Sequence, residues 1–145
     1  MSDSEQSYIN RKLRMKDITD LLKEPGVTIA VVGANNNPAK YGNVIYRDLK
    51  RKGYRLFPVN PSSPEIDGDK AYTNLGELPE KPTIVNFVTP PAVTKKVLEE
   101  CIKLGFKNVW LQPGSESPEV MEFIQEHDFN YLANACIMVE SRLSH

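Results

Sequence analysis

Five short, mostly apolar runs alternate along the chain with stretches in which apolar residues recur every three or four positions. The runs are five or six residues long and rich in branched and aromatic side chains, which is typical of buried strands. Strand–helix alternation with short links predicts an α/β fold of three layers: a five-stranded parallel sheet with helices on both faces. The predicted strands are VTIAVV (27–32), RLFPV (55–59), TIVNFV (83–88), KNVWL (107–111) and FNYLA (129–133).

Glycine and proline mark where the predicted helices end or begin. A glycine just past the last helical residue is a common stop, and Ser117 followed by Pro118 is a typical helix start. A helix before the first strand ends at Pro25-Gly26, a short helical segment is predicted near 73–78, and 60–72 is predicted as a loop. The predicted apolar stripes are Met15, Ile18, Leu21 and Leu22; Tyr41, Ile45 and Leu49, closed by Gly53; Val93, Val97, Cys101 and Leu104, closed by Gly105; and Val120, Phe123, Ile124 and His127.

The ends of the predicted strands carry small, polar or proline residues. Parallel strands place these ends at one edge of the sheet, where ligands of open α/β sheets bind. The pattern therefore predicts a groove for an elongated ligand with phosphates at one end. The segments that follow the first four strands are 33–42, 60–64, 89–91 and 112–117.

The first of these segments, in VVGANNNPAKYG, is the strongest candidate for ligand binding. Gly42 lies nine residues after Gly33, which makes the loop longer than a minimal strand–helix link. Backbone N–H groups at the start of the following helix favour a phosphate. The loop resembles the dinucleotide motif G-x-G-x-x-G, but its later glycines are out of place. Asn60 also stands where dinucleotide folds carry an acid for the ribose, which argues against NAD or a flavin.

Composition excludes several other classes of protein. The 145 residues carry a net charge of −1, which gives no field favouring nucleic acid or an anionic membrane. No stretch is long and apolar enough to cross a bilayer, and the start lacks the apolar run of a signal peptide. We expect a cytoplasmic protein, with a polar arm at 1–14 and one domain at 15–145.

Few residues offer catalytic chemistry. His127 is expected to cap its helix and His145 ends the sequence. Cys101 lies on an apolar stripe and predicts a core thiol. Cys136 follows the fifth strand, where a structural role is favoured over reaction with a ligand thiol. No catalytic residue and no metal site are predicted, and the acids of EIDGDK (65–70) predict a plain turn rather than a calcium loop.

Several motifs together resemble the small stand-alone coenzyme A-binding proteins. These are similar to the N-terminal domain of the succinyl-CoA synthetase alpha subunit, and the resemblance covers about 25–141. It implies a Rossmann-like fold and CoA or an acyl-CoA as ligand. The motifs are VVGANNNPAKYG, FPVNP, VNFVTPPAV, NVWLQPGSES and ACIMVE.

The resemblance also implies positions for the parts of the ligand. The family often has a lysine after the NP motif to meet a CoA phosphate, whereas this chain has Ser62 and Ser63, so Lys40 becomes the candidate cation. The implied contacts are Gly33, Ala34, Asn35, Lys40, Tyr41 and Gly42 around the phosphates; Val59, Asn60 and Pro61 at the adenosine half; Val88, Thr89 and Pro90 at the middle; and Gln112, Pro113 and Gly114 near the pantetheine arm.

The function expected from this sequence is a CoA-binding module without its own catalytic apparatus. One alternative is the CoA-binding subunit of a split acyl-CoA ligase, and another is an NAD(P)-binding redox protein or sensor. A third is an interaction protein with a vestigial groove. Besides the small-molecule nucleotide, the partners considered are a second copy of the chain and a CoA-using enzyme, with no nucleic acid or membrane.

Overall fold

The computed structural model describes residues 17–141. The predicted arm at 1–14, Met15 and His145 lie outside this range. The strands are β1 (Thr28–Val32), β2 (Arg55–Val59), β3 (Glu65–Ile66), β4 (Asp69–Lys70), β5 (Ile84–Phe87), β6 (Asn108–Leu111) and β7 (Asn130–Ala133). The helices are α1 (Ile18–Leu21), α2 (Tyr41–Arg51), α3 (Pro91–Leu104), α4 (Pro118–Glu126) and α5 (Ile137–Glu140), with a 3₁₀ turn at Leu75–Glu77.

The five predicted strands form one parallel sheet in the order β2-β1-β5-β6-β7. Each of the predicted apolar runs supplies one strand, so the predicted α/β Rossmann-like fold is confirmed. The chain moves from β1 outward to β2 and then returns across β1 to β5. Strand order therefore reverses at β1, and the crevice beyond the carboxyl ends of β1 and β5 is the expected ligand site.

Side chains alternate between two apolar cores on the two faces of the sheet. Ile29 and Val31 of β1 pack with α1, α2 and α5, whereas Ala30 and Val32 pack with α3 and α4. Both faces are therefore covered by helices, as the three-layer prediction requires.

The predicted apolar stripe of α3 was only partly correct. Val93 and Leu104 are exposed, and the helix buries Thr94 and Leu98 together with the predicted Cys101. Thr94 tolerates burial because its hydroxyl donates to the carbonyl of Pro90 at 3.2 Å and lies 2.7 Å from the Thr89 hydroxyl. The sequence offers two adjacent stripes on this helix, and the packing selected the one that contains a polar residue.

The stretch predicted as a loop at 60–72 contains a short antiparallel hairpin. β3 and β4 pair through a turn at Asp67-Gly68, where both residues have positive φ, 51° and 81°. Ile66 is buried beneath α2, and this anchors the hairpin to the domain. Within residues 17–141, no cluster of acids, histidines or cysteines is arranged to hold a metal ion.

None of the helices in the described range has the length and apolarity that a membrane crossing requires.

Candidate functional site

A cleft of about 460 Å³ opens at the carboxyl ends of β1, β2 and β5. It lies at the position where the strand order reverses. Its walls come from the loop after β1, the start of α2, the ends of β2 and β5, the 3₁₀ turn and one side of α3. The lining residues are Val32, Gly33, Asn35, Lys40, Tyr41, Gly42, Val59, Asn60, Pro61, Thr73, Asn74, Leu75, Val88, Thr89, Pro90, Val93, Val97 and Glu100.

Two glycines shape the loop after β1 although their spacing differs from the dinucleotide motif. Gly33 has a φ of 97°, and a Cβ there would lie 2.2 Å from the carbonyl oxygen of Val88. A Cβ on Gly42 would lie 2.0 Å from the carbonyl oxygen of Gly33. Gly33 therefore permits the tight turn beside β5, and Gly42 permits α2 to begin directly against that turn.

The asparagines after Gly33 hold the loop by bonding to its backbone. The Asn35 side chain accepts from the N–H of Asn37 at 2.7 Å, and the Asn37 side chain accepts from the N–H of Ala39 at 2.9 Å. Asn43 in α2 donates to the carbonyl of Asn35 at 2.9 Å. These short-range bonds are the ones Asn forms readily in turns, and they fix the loop without a bound ligand.

Asn36 connects the same loop to the β3–β4 hairpin. Its amide donates to the carbonyl of Glu65 at 2.8 Å and its oxygen accepts from the N–H of Asp67 at 2.9 Å. The three asparagine side chains therefore stabilise the loop conformation. Other groups at the cleft have hydrogen-bond donors that remain free for a ligand.

The start of α2 presents those other groups. The N–H groups of Tyr41 and Gly42 have no acceptor among residues 17–141, and Lys40 caps the helix without a side-chain hydrogen bond. The Lys40 side chain is exposed and forms no ion pair with a described residue. Free N–H groups, the helix dipole and a cation together favour an anion at this end of the cleft.

The Asn60 side chain forms hydrogen bonds through both its amide and its oxygen at the end of β2. Its amide donates to the carbonyl of Ala34 at 2.9 Å, and its oxygen accepts from the N–H groups of Ser62 and Ser63 at 2.7 and 3.1 Å. Ala34 is completely buried and does not line the cleft. Asn60, which stands at the ribose-binding position of dinucleotide folds, therefore uses its side chain to stabilise neighbouring loops.

Thr89 is held in place at the end of β5. Its N–H donates to the hydroxyl of Ser115 at 3.0 Å, and its own hydroxyl lies 2.7 Å from that of Thr94. Val88 and Pro90 flank it on the cleft wall. This segment forms a hydrogen-bonded and mainly apolar part of the cleft wall.

One wall of the cleft was not predicted from the sequence. It consists of the 3₁₀ turn and the exposed side of α3, and Glu100 Oε1 accepts from the N–H of Gly76 where these two elements meet. The cleft consequently has the cation Lys40 on the α2 side and an acid on the α3 side. No sequence signal marked this wall, because Val93 and Val97 fit the predicted buried stripe and the exposure of Val93 is known only from the structure. The unpredicted residues of this wall are Thr73, Asn74, Leu75, Val93, Val97 and Glu100, and Val32 at the end of β1 is a further unpredicted lining residue.

Four predicted contacts do not line the cleft: Ala34, described above, and the three residues that follow β6. Gln112 is completely buried, and its Oε1 accepts from the N–H of Ile137 at 2.9 Å at the start of α5. Pro113 and Gly114 are exposed in the turn after β6. Gln112 therefore positions α5, while the other two residues lie on the open surface nearby.

The two cysteines have different surroundings. Burial raises the pKa of the Cys101 thiol to about 12, as expected for a core residue. Cys136 is half-buried, and its Sγ lies 3.4 Å from the hydroxyl oxygen of Tyr41. His127 caps α4 as predicted, with its Nδ1 2.8 Å from the carbonyl oxygen of Phe123.

Several known proteins resemble this chain in sequence or fold. The alpha subunit of ADP-forming acetate–CoA ligase II from Pyrococcus furiosus is 29% identical over 120 residues, which cover 75% of this chain but only 26% of that subunit. The protein YneT of Bacillus subtilis is 28% identical over 128 residues, covering 88% of this chain and 92% of YneT. The solved structure of a conserved hypothetical protein from Pyrococcus furiosus is 46% identical with a TM-score of 0.77, covering 79% of this chain and 99% of the other.

The family comparison covers almost the whole described domain, including every residue that lines the cleft. The match runs over residues 27–142. The chain therefore belongs to the CoA binding domain family.

Proposed function

We propose that the chain binds CoA or an acyl-CoA in the cleft at the carboxyl ends of β1, β2 and β5. The observation that carries this proposal is the open start of α2, where two free N–H groups adjoin the exposed cation Lys40. CoA has several phosphate groups, and such a start favours phosphate. Membership of the CoA binding domain family supports the same ligand.

The proposed orientation is the one that the resemblance implies, and the free N–H groups at the start of α2 support its phosphate end. The phosphates lie at Gly33, Asn35 and 40–42, beside the free N–H groups. The adenosine half borders 59–61, and 88–90 contact the middle of the ligand. The pantetheine arm then leaves the cleft toward 112–114. Pro113 and Gly114 provide an exposed surface there, and the buried Gln112 holds the start of α5 beneath it.

A nicotinamide dinucleotide fits the cleft less well. The Asn60 side chain is already bonded to Ala34, Ser62 and Ser63. Glu100 is the acid on the cleft wall, but it belongs to α3 and not to the end of β2. The usual arrangement for holding the ribose of NAD is therefore missing.

Isothermal titration calorimetry with CoA, NADH and ATP tests the proposed ligand. We expect CoA to bind most tightly, because only CoA combines the phosphates with a pantetheine arm for the surface beyond β5 and β6. Binding of CoA that is equal to or weaker than binding of NADH would contradict the proposal.

We attribute no acyl-transfer activity to the chain alone. Neither described cysteine has a histidine partner, and the described histidine, His127, caps α4 away from the cleft. The two free thiols suit the reducing cytoplasm in which we place the protein.

The second candidate function is that of the CoA-binding part of a divided acyl-CoA ligase. It is favoured by the likeness to the acetate–CoA ligase alpha subunit, of which this chain spans 26%. Incubation with acetyl-CoA, ADP and phosphate separates the two candidates. We expect no ATP from the chain alone, and turnover that persists through repurification would contradict the non-catalytic proposal. ATP formation only after a nucleotide-binding ligase subunit is added would favour the second candidate.

A further inference from the structure

Cys136 lies one side chain away from the ligand cleft. It follows β7 and directly precedes α5. Its Sγ is 3.4 Å from the Tyr41 hydroxyl oxygen, and Tyr41 itself lines the cleft at the start of α2. These two residues are 95 positions apart in sequence, so the fold brings a half-buried thiol to the proposed CoA site.

A buried amide lies beside the same sulfur. Gln112 is completely buried, and its Oε1 is held by the N–H of Ile137. Its Nε2 has no hydrogen-bond partner among residues 17–141, and the Gln112 side chain is one of the groups that lower the pKa of Cys136. A buried donor without an acceptor is costly. A thiolate at Cys136 would supply an acceptor for the Gln112 Nε2 donor.

The surroundings of the sulfur favour its reactive form. Burial opposes ionisation, but the Tyr41 hydroxyl, the backbone at Met138 and Val139 and the Gln112 side chain outweigh it, so the pKa of Cys136 lies below its ordinary value. The same contact raises the pKa of Tyr41, which keeps its hydroxyl protonated as a donor. The thiolate is the nucleophile of cysteine chemistry.

The second cysteine provides an internal comparison. Cys101 is completely buried among the residues that α3 and α4 pack against the sheet. The neighbours of Cys136, Ala135 and Ile137, belong to the core on the opposite face. The sheet separates the two sulfurs, so a disulfide at Cys136 has to be formed with another molecule.

We propose that Cys136 is a thiol–disulfide exchange site that takes CoA from a CoA disulfide bound in the cleft, an inference that rests on the proposed CoA-binding function. The Cys136 thiolate attacks one sulfur of the CoA disulfide. A new S–S bond joins Cys136 to one CoA while the original S–S bond breaks. The other CoA leaves with the electron pair as a thiolate and takes a proton from water. One disulfide replaces another, so no further oxidant is needed, and a small thiol reverses the step.

Intact-mass spectrometry of the full chain after anaerobic incubation with CoA disulfide tests the exchange. We expect one added CoA on the wild type, located at Cys136 by peptide mapping and removed by dithiothreitol. The variant Cys101→Ala should gain the same group, and Cys136→Ser should gain none. An unmodified wild type, or a CoA located at Cys101, would overturn the proposal whether or not either variant folds.

The rate at which Cys136 is modified distinguishes the exchange proposal from the CoA-binding function on which it rests. If the cleft holds the disulfide, the rate at Cys136 saturates with CoA disulfide but rises linearly with glutathione disulfide, which has no nucleotide. Reduced CoA that binds Cys136→Ser in calorimetry, together with an unmodified wild type, would reject the exchange alone. Linear rates with both disulfides and no binding of reduced CoA would reject both proposals.

Discussion

Lys40 is the residue on which the proposed phosphate site depends most. It lies on the cleft wall, is exposed and forms no ion pair with another described residue. Ser62 and Ser63 follow the NP motif, and their N–H groups are bonded to Asn60. The helix dipole offers only about half a positive charge, so a ligand with several phosphates needs this lysine as well.

We expect Lys40→Ala to weaken CoA binding about tenfold or more. A charge-assisted hydrogen bond contributes about 1.5–3 kcal/mol, and about 1.4 kcal/mol corresponds to a factor of ten. The salt dependence of binding should also become shallower, because one screened interaction is lost. Calorimetry at low and high salt measures both effects.

Lys81→Ala is the matched control for this experiment. Lys81 is also exposed, but it lies before β5, at the amino end of the sheet and away from the cleft. Its replacement should leave CoA affinity unchanged. Equal affinities for Lys40→Ala and wild type at low salt would show that Lys40 points into solvent and meets no phosphate.

Among the elements, the β3–β4 hairpin supports the cleft without lining it. Asn36 ties the cleft loop to this hairpin, and the hairpin is in turn bound to α2. Tyr46 donates to Asp69 at 2.6 Å, and Lys50 lies 3.0 Å from the same carboxylate. The pKa of Asp69 is lowered, first by the Tyr46 hydroxyl and then by Lys50, which outweigh its burial.

Tyr46→Phe should therefore lower the free energy of unfolding. It should also make that free energy less dependent on pH in the acid range. A lowered pKa in the folded state stabilises the protein at pH values above the usual value near 3.8, and this stabilisation is lost as the pH falls through the lower folded value. Without the hydroxyl, that loss should become smaller. We expect a cost of about 1–2 kcal/mol at neutral pH, measured by urea unfolding at pH 7 and across pH 2–5.

Tyr72→Phe is the control for the lost hydroxyl, because the Tyr72 hydroxyl binds no carboxylate among the described residues. Its acid dependence should match that of the wild type. An unchanged acid profile in Tyr46→Phe would mean that the hairpin carboxylate is not stabilised by this bond.

For the molecule as a whole, the central strand of the sheet contains a conspicuous polar residue. Asn86 of β5 is completely buried, next to Val31 of β1 and Trp110 of β6. Neither its Oδ1 nor its Nδ2 has a partner within the described range. Both cores pack on this sheet, so the cost of the unpaired amide falls on the stability of the entire domain.

We expect Asn86→Leu to raise the free energy of unfolding by about 1–3 kcal/mol, because an apolar side chain of similar branching removes two unpaired polar atoms. Urea unfolding measures the change. Asn43→Leu is the matched comparison and should destabilise the protein, because buried Asn43 donates to the carbonyl of Asn35. Destabilisation of similar size in both variants would contradict the expectation and indicate that Asn86 has a partner such as a bound water.

The sequence by itself determined the five strands of the parallel sheet, the ends of α2 and α3 and the edge of the sheet that carries the site. These features depend on residues close together in the chain: apolar runs report burial along one element, and Gly53 or Gly105 ends a helix locally. The loop from Gly33 to Gly42 was predictable for the same reason. Eleven of the fifteen predicted contacts line the cleft, since parallel strands place all their carboxyl ends on one side.

Only the tertiary structure decided which side of α3 is buried, which way Gln112 points and what completes the cleft. Local periodicity allowed two stripes on α3, and packing against the sheet selected Thr94, Leu98 and Cys101. Gln112 follows a strand as a ligand contact would, yet the amide turns inward because α5 needs an acceptor for its first N–H. The contact between Tyr41 and Cys136 depends on how α2 and α5 pack on the same face of the sheet. Such contacts join residues distant in sequence, so they arise from register and crossover geometry and leave no local pattern.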